Sequence, residues 1–296
     1  MNKFSVLRPE HVAPIRNLTL RAKMIVEGTI AGLHKSPFHG FSSEFLEYRP
    51  YLVGEPARKV DWRKYAKSDK AFVRLYEDET NLSAHILLDK SASMGFGSGA
   101  VTKFDYARTL AASVAWILVR QKDAAGIVAF DEEIRFYMPP KSTNLQLKNI
   151  ISYLESSAAE HKTQCGAVIN SAAAMLGKRG LCVVISDFLD DPESIAMGLR
   201  HLRFKRQDIL AIAVADPMEL RFDGKSDYRL KDLETGREIT IDSQTAAEYF
   251  NAGMSEHRSA LGTICRELKV DFEEVSTDEP FHKSLMRVID KRRRLY

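Results

Sequence analysis

Cysteine is scarce in this chain and poorly placed for covalent or metal work. Its three residues, Cys165, Cys182 and Cys265, are odd in number, far apart and without CxxC spacing. Such a pattern offers neither a disulfide framework nor a thiolate metal centre, and reads as reduced thiols in a cytosolic setting. Net charge is small as well. Forty-three basic and 40 acidic side chains leave a formal +3, too weak a field to argue for nucleic acid. The basic stretches Arg58–Lys70 and Lys291–Arg294 have no sustained aromatic interleaving and read as solvated surface. Long hydrophobic runs are missing: Leu110–Val119 is about half the ~20 residues a membrane helix needs. Met1–Pro9 carries no apolar signal core. The expectation is a soluble cytoplasmic protein without direct membrane insertion, with membrane association through a partner left open.

The usual enzyme signatures are missing too. There is no GxxxxGK[ST] phosphate loop and no GxSxG nucleophile elbow. Gly95–Ala100 (GFGSGA) spells GxGxxA, but Lys90–Met94 separates it from the preceding strand. A dinucleotide fingerprint starts at the strand end, so this string reads as a turn. No internal repeat and no low-complexity linker interrupts the chain.

What is present is ordinary globular material: 296 residues, 45% hydrophobic and 28% charged. From residue 81 onward strand-like and helix-like segments alternate. Strands are predicted at Ala84–Asp89, Ala124–Phe130, Glu133–Met138, Leu181–Ser186, Ile209–Val214 and Val270–Val275. Helices are predicted at Lys103–Gln121, Asn144–Ser156, Gly166–Leu176, Pro192–Phe204 and Ser243–Leu268, with a C-terminal helix to follow. The first of these puts Phe104, Ala107, Leu110, Ala111, Val114 and Leu118 on one face. Alternation of this kind implies an α/β fold, Rossmann-like, whose mostly parallel sheet carries helices on both faces. Tyr228–Asp242 reads as a hairpin insertion turning at Glu234–Gly236. Residues 1–80 do not follow the alternation and are read as an extension packed on the 81–296 domain, with a helix near Ile15–Glu27 and strands near Phe45–Tyr51 and Ala71–Glu77.

In open α/β sheets, ligands sit at the carboxyl ends of the strands. Asp89 and Asp187 both fall there. His85–Met94 (HILLDKSASM) runs an apolar strand into Asp89, Ser91 and Ser93 at alternate positions. Alone, this pattern is well explained by turn and capping hydrogen bonds. It also suits Mg²⁺, which takes oxygen ligands, keeps waters and uses only one or two carboxylates. Missing ligands then have to come from neighbouring strand ends and loops. Asp187 in Ile185–Phe188 and Thr163 in His161–Gln164 stand where such ligands are wanted.

Asp89-x-Ser91-x-Ser93, then Thr163, then Ser186-Asp187, resembles the metal-ion-dependent adhesion site of von Willebrand factor A domains. The resemblance implies a von Willebrand factor A-like fold for residues 81–296. It also implies that Asp89, Ser91, Ser93, Thr163 and Asp187 hold Mg²⁺ or Mn²⁺ directly or through water. Thr143, in Lys141–Asn144, is a competing hydroxyl for the Thr163 role. A second block is similar to the bacterial domain-of-unknown-function 58 family: Gly32–Phe41, Glu44–Tyr51 (EFLEYRPY), Gly54–Trp62 (GEPARKVDW) and Glu77–Glu79. That resemblance implies a MoxR-type AAA+ ATPase as partner. Many relatives carry N-terminal membrane segments, which this sequence lacks.

Other candidates have plainer explanations. Arg49 and Arg58 beside Glu47, Glu55 and Asp61 read as an ion-pair network, with a docking surface of Arg, Tyr and Trp as the alternative. His34 and His39 have no further Cys or His nearby, so hydrogen bonding accounts for them better than a metal. An Asp-x-Asp phosphatase wants a carboxylate where Ser91 stands, and no histidine base is evident near Ser91 or Asp187. The expectation is therefore a non-enzymatic module that binds an acidic residue of the ATPase or of a client through the metal. A metal-dependent hydrolase, or a scaffold with an empty site, is the alternative.

Overall fold

The computed structural model describes residues 7–33, 45–51, 60, 62, 65, 71–76, 82–177, 179–223, 228–231, 238–241 and 243–294. His34, His39 and the Arg58, Glu55 and Asp61 positions lie outside them, as does the turn at 234–236. The chain divides into two compact units, Ser36–Asn81 and the remainder, Met1–Lys35 with Leu82–Tyr296. The segment 1–80 is thus not one extension: its first 35 residues belong to the larger unit. Short helix α1 (Pro9–Val12) leads to α2 (Leu18–Leu33). Helix α2 begins later than hydrophobic periodicity predicts because Asn17 caps it, its Oδ1 accepting from Leu20 N at 2.8 Å. Buried Arg21 on α2 donates to both carboxylate oxygens of Asp105 (3.1 and 2.9 Å) and to Thr109 Oγ1 (2.9 Å). These bonds fasten the N-terminal helix to the main unit. The smaller unit holds an antiparallel pair, β1 (Phe45–Pro50) with β2 (Phe72–Tyr76).

The larger unit is built on a six-stranded sheet. Its strands are β3 (Ser83–Asp89), β4 (Ala124–Phe130), β5 (Ile134–Lys141), β6 (Gly180–Ser186), β7 (Gln207–Ala215) and, after a separate antiparallel pair β8 (Tyr228–Lys231) and β9 (Glu238–Ile241), β10 (Asp271–Ser276). The order across the sheet is β10-β7-β6-β3-β4-β5, parallel except for β5. The mostly parallel α/β fold expected from the alternation is therefore present. From β3 the chain first builds outward through β4 and β5, then returns to lay β6 on the other side of β3. That reversal puts the switch point, where such sheets bind ligands, at the carboxyl ends of β3 and β6.

Side chains alternate across the sheet and feed two cores. Ile86, Leu88, Ile127, Val183 and Ile185 pack with α2, α3 (Lys103–Arg120), α4 (Asn144–Ser156) and, at the C-terminus, α9 (Phe281–Arg294). On the opposite face, Leu87, Val128, Val184 and Ile209 pack with α5 (Cys165–Met175), α6 (Pro192–Phe204) and, beyond the short α7 (Pro217–Leu220), α8 (Ser243–Glu267). Burying β3 on both faces explains its near-continuous apolar run. Helix α3 is buried well beyond its predicted face, Tyr106, Ala112, Ser113 and Val119 included. Helix α2 packs against α3, with Arg21 reaching Asp105 and Thr109 on it.

Strand β5 runs through Pro139-Pro140 to Lys141, past the stop expected at Met138. An edge strand tolerates proline because its outer N–H positions need no partner. Across the pair Gly126 lets the backbones close in: a Cβ there would stand 2.7 Å from Met138 O and 2.8 Å from Pro140 N. Gln146 Nε2 then donates to Ala125 O (3.0 Å) and Pro139 O (2.8 Å), serving carbonyls left at the irregular register.

Two predictions concern stability. A Cβ on Gly166 would lie 2.3 Å from the Ser194 carbonyl carbon, where α5 crosses α6. Gly166→Ala should lower unfolding free energy by about 1–3 kcal/mol through overpacking, read from urea melts. His85 is 4% exposed, and its Nδ1 has no hydrogen-bond partner among the described residues. Burial lowers its pKa from 6.5 to about 4. The unfolded chain then binds the proton first, so this contribution is complete above the unfolded value and is lost as pH falls toward the folded one. The expected loss is about 3 kcal/mol. Against His85→Leu, the wild type should lose more stability between neutral pH and about pH 4; parallel curves would refute this.

Candidate metal site at the switch point

Asp89 is the last residue of β3, and its side chain is fully buried. Oδ1 accepts from Ser91 N at 2.8 Å, an Asx-type turn that folds the chain sharply at the strand end. Oδ2 accepts from Ser186 Oγ at 2.6 Å, so the tips of adjacent strands β3 and β6 are joined through side chains. After that turn a 3₁₀ segment, Ala92–Gly95, keeps Ser91 buried and Ser93 half-buried, their Oγ atoms 3.1 Å apart.

Asp187 follows β6 directly and is 8% exposed. Its position is set by an unusual backbone at the next residue: Phe188 has φ 53°, a left-handed conformation rare for a bulky side chain. Phe188 N donates to Ser186 Oγ (2.9 Å), and His257 Nε2 sits 2.8 Å from Phe188 O. Ser186 Oγ therefore donates to Asp89 while accepting from the Asp187–Phe188 turn, coupling the two carboxylates.

The Thr163 loop is brought alongside by backbone. Glu160 N donates to Lys90 O (2.8 Å) and Ala92 N to His161 O (2.7 Å), with His161 at φ 65°. The loop carrying Thr163 thus runs beside Lys90–Ala92 before entering α5. Thr143 is elsewhere. Its Oγ1 caps α4 by accepting from Gln146 N (3.1 Å), and it follows Lys141, which pairs with Ala125 near the start of β4. That is the opposite end of the sheet from Asp89, which pairs with Phe130.

Lys103, read in the sequence only as the start of a helix, lies at the centre of the cluster. It is 0% exposed, its Nζ 2.8 Å from Asp187 Oδ2 and 2.6 Å from Glu219 Oε1. Burial pushes the ammonium toward neutrality, and the two facing carboxylates overcome this and hold its pKa above the ordinary value. Glu219 is fixed in turn. Its Oε2 accepts from Asp216 N (3.0 Å) while Asp216 accepts from Met218 N (2.9 Å), a capping box on α7. Asp216 also takes Ser98 N (2.8 Å) and the Ser98 hydroxyl, anchoring the glycine-containing loop before α3. The sequence reads this loop as a turn, and Asp216 is what holds it. Two signals for these residues were in the sequence: a lysine in the first turn of a helix, where the dipole disfavours it, and Asp216-Pro217-Met218-Glu219 after a buried strand.

The donor set fits a hard divalent cation. Asp89 and Asp187 are buried at the switch point, and the ammonium of Lys103 is shared between Asp187 and the half-buried Glu219, so acidic groups outnumber the cation there. Desolvation, then the charge of Asp187, raises the Asp89 pKa to about 7, opposed by the Ser186 and Ser91 hydrogen bonds. A cation would relieve that cost. Each carboxylate oxygen accepts more than one bond, so Asp89 and Asp187 retain acceptor capacity. Among the described residues no group of three or more His, Cys, Asp or Glu gathers as a metal cluster. An ion here has to be held by mixed carboxylate and hydroxyl oxygens, the kind of set Mg²⁺ and Mn²⁺ accept.

Elsewhere, Trp62 in the smaller unit is 60% exposed and meets Tyr65 edge-on at 5.9 Å. No helix among the described residues is long and apolar enough to cross a membrane.

Comparison with known proteins shows what the chain as a whole is similar to. An uncharacterized protein of Mycobacterium tuberculosis, Rv1480, is 26% identical over 97% of this chain and 91% of its own length. The conserved hypothetical protein BatB of Bacteroides thetaiotaomicron has a similar structure, at 20% identity and TM-score 0.51, covering 72% of this chain and 99% of that one. The VWA domain of SpRpn10 aligns at 11% identity and TM-score 0.40, over 69% of this chain and 94% of that domain. The fold, a mostly parallel α/β sheet with helices on both faces, is like that of BatB. Residues 47–260 match the family described as protein of unknown function DUF58, and the chain belongs to that family.

Proposed function

We propose that this protein is a non-enzymatic interaction module that binds an acidic side chain of a partner at a divalent-cation site. Asp89, Ser91, Ser93, Thr163 and Asp187 would hold the ion. The observation that carries this reading is the meeting of two buried carboxylates at the switch point, Asp89 and Asp187, while the ammonium of Lys103 is shared between Asp187 and Glu219. Bound Mg²⁺ or Mn²⁺ supplies a Lewis-acidic position toward an incoming carboxylate. Asp89 and Asp187 provide the negative charge, and the hydroxyls provide neutral oxygens, which keep the ion electrophilic toward the partner's carboxylate. Ser91, Ser186 and His257 fix the two carboxylates in advance through the Asx turn and the left-handed Phe188. Pre-set geometry lowers the ordering cost of binding. The half-buried Ser93 marks the open side.

His257, the histidine that reaches this turn, is engaged by the Phe188 carbonyl, which favours binding over hydrolysis. A MoxR-type AAA+ ATPase, or its client, is the partner implied by the family resemblance, in a cytoplasmic assembly or activation role. Lys103 favours a second reading, in which its ammonium is the site's only cation and the cluster is a structural strut.

Calorimetric titration of the full chain with Mn²⁺ should show one site that is lost in Asp89→Asn. Pull-down from cell extract should recover a partner whose retention falls with EDTA and with Ser91→Ala. Absence of Mn²⁺ binding would favour the strut. Turnover of ATP or phosphoesters that Asp89→Asn abolishes would replace the binding reading with a hydrolase.

A further inference from the structure

The buried ammonium poses a question of its own. A lysine that neutralises Asp187 works against cation affinity, yet the fold goes to some length to keep it in place. Lys103 is the first residue of α3, and its N–H donates to Phe96 O at 2.8 Å. Thr102 caps the helix, accepting from Asp105 N at 3.1 Å. Nζ reaches Asp187 Oδ2 and Glu219 Oε1, and no part of the residue meets solvent. Glu219 is locked from the other side by the Asp216 capping box, and Arg258 Nη2 donates to its backbone carbonyl at 3.1 Å. Neither end of the Lys103–Glu219 pair is free to swing away.

Its contact with Asp187 is one-sided. Oδ2 takes the ammonium, and among the described residues Oδ1 accepts the longer bond from Leu189 N at 3.2 Å alone. Asp187 is therefore presented to the site through Oδ1, with part of its charge already compensated on the opposite oxygen.

We propose that Lys103 and Glu219 form a fixed charge pair that sets the cation affinity of the Asp89–Asp187 site: Lys103 weakens it, Glu219 strengthens it, and the two charges offset each other. This inference rests on the cation-site reading above and adds a regulatory pair outside the ligand set. Lys103 is a positioning residue, acting on the ion through Asp187. Because Lys103 already draws on Asp187 through Oδ2, that carboxylate holds the ion less strongly, and the ion keeps an open position for a partner carboxylate.

Mn²⁺ affinity of the full chain, measured by electron paramagnetic resonance of the free ion, separates the outcomes. Lys103→Met should tighten binding and Glu219→Gln should weaken it, each on the order of tenfold, the scale of one unit charge near a divalent ion after screening. The double variant Lys103→Met/Glu219→Gln restores the wild-type net charge and should return to within a few-fold of wild-type affinity. A structural role moves both single variants in the same direction and worsens in the double. Thermal melts without metal report folding of each variant separately, and the double variant, with no unpaired buried charge at this pair, carries the test if a single one fails to fold. If Lys103→Met weakens binding, or the double variant does not recover, the proposal is overturned while the site stands. If the wild type binds no Mn²⁺ at all, the site reading falls and takes this inference with it.

Discussion

Two carboxylates held next to each other at the ends of buried strands repel strongly, because little water is present to screen them. Asp89 and Asp187 are in that position, and the surrounding structure can be read as a response to it. Ser186 Oγ and Ser91 N donate to Asp89. Lys103 donates to Asp187. Even so, Asp89 retains a raised pKa, with burial first among the causes. A protein selected only for stability would have replaced these groups with apolar ones, since buried ion pairs seldom outdo hydrophobic packing of the same volume. Retention of an incompletely balanced cluster at a ligand-binding position in the sheet points to function.

Stability comes from elsewhere. The two apolar cores on either face of the sheet contain most of the buried side chains, each fully buried Leu, Ile or Val contributing on the order of 1.5–3 kcal/mol. This surplus lets the strand ends carry polar and strained groups: the Asx turn after Asp89, left-handed Phe188 and His161, and the ammonium of Lys103. Strain of about 1–3 kcal/mol per outlier is affordable on such a base. The N-terminal helix α2 adds to it by covering α3 and securing it through Arg21 and Asp105.

Much of this was legible in residue patterns. The buried strands declared themselves as β-branched runs, and Ala124–Phe130 and Pro192–Phe204 have the predicted bounds. Elements whose bounds shifted did so for local reasons that pattern does not weigh: the Asn17 cap on α2, and the edge position that lets β5 continue through two prolines. Residues 1–80 looked like one segment because they break the strand–helix alternation, although the first helix shares a core with the main unit.

The sequence by itself determined the α/β class, the family block, and the placement of Asp89, Ser91, Ser93 and Asp187 at strand ends, because strand period and strand polarity are local properties. The tertiary structure alone decided which distant groups meet them. Thr143 and Thr163 are equivalent as letters, and only strand direction sends one to the far end of the sheet while backbone pairing draws the loop of the other beside Lys90–Ala92. Lys103 and Glu219 are separated from Asp187 by 84 and 32 positions, and charge compensation acts through space. The sharing of one ammonium between Asp187 and Glu219 therefore exists only in the folded chain.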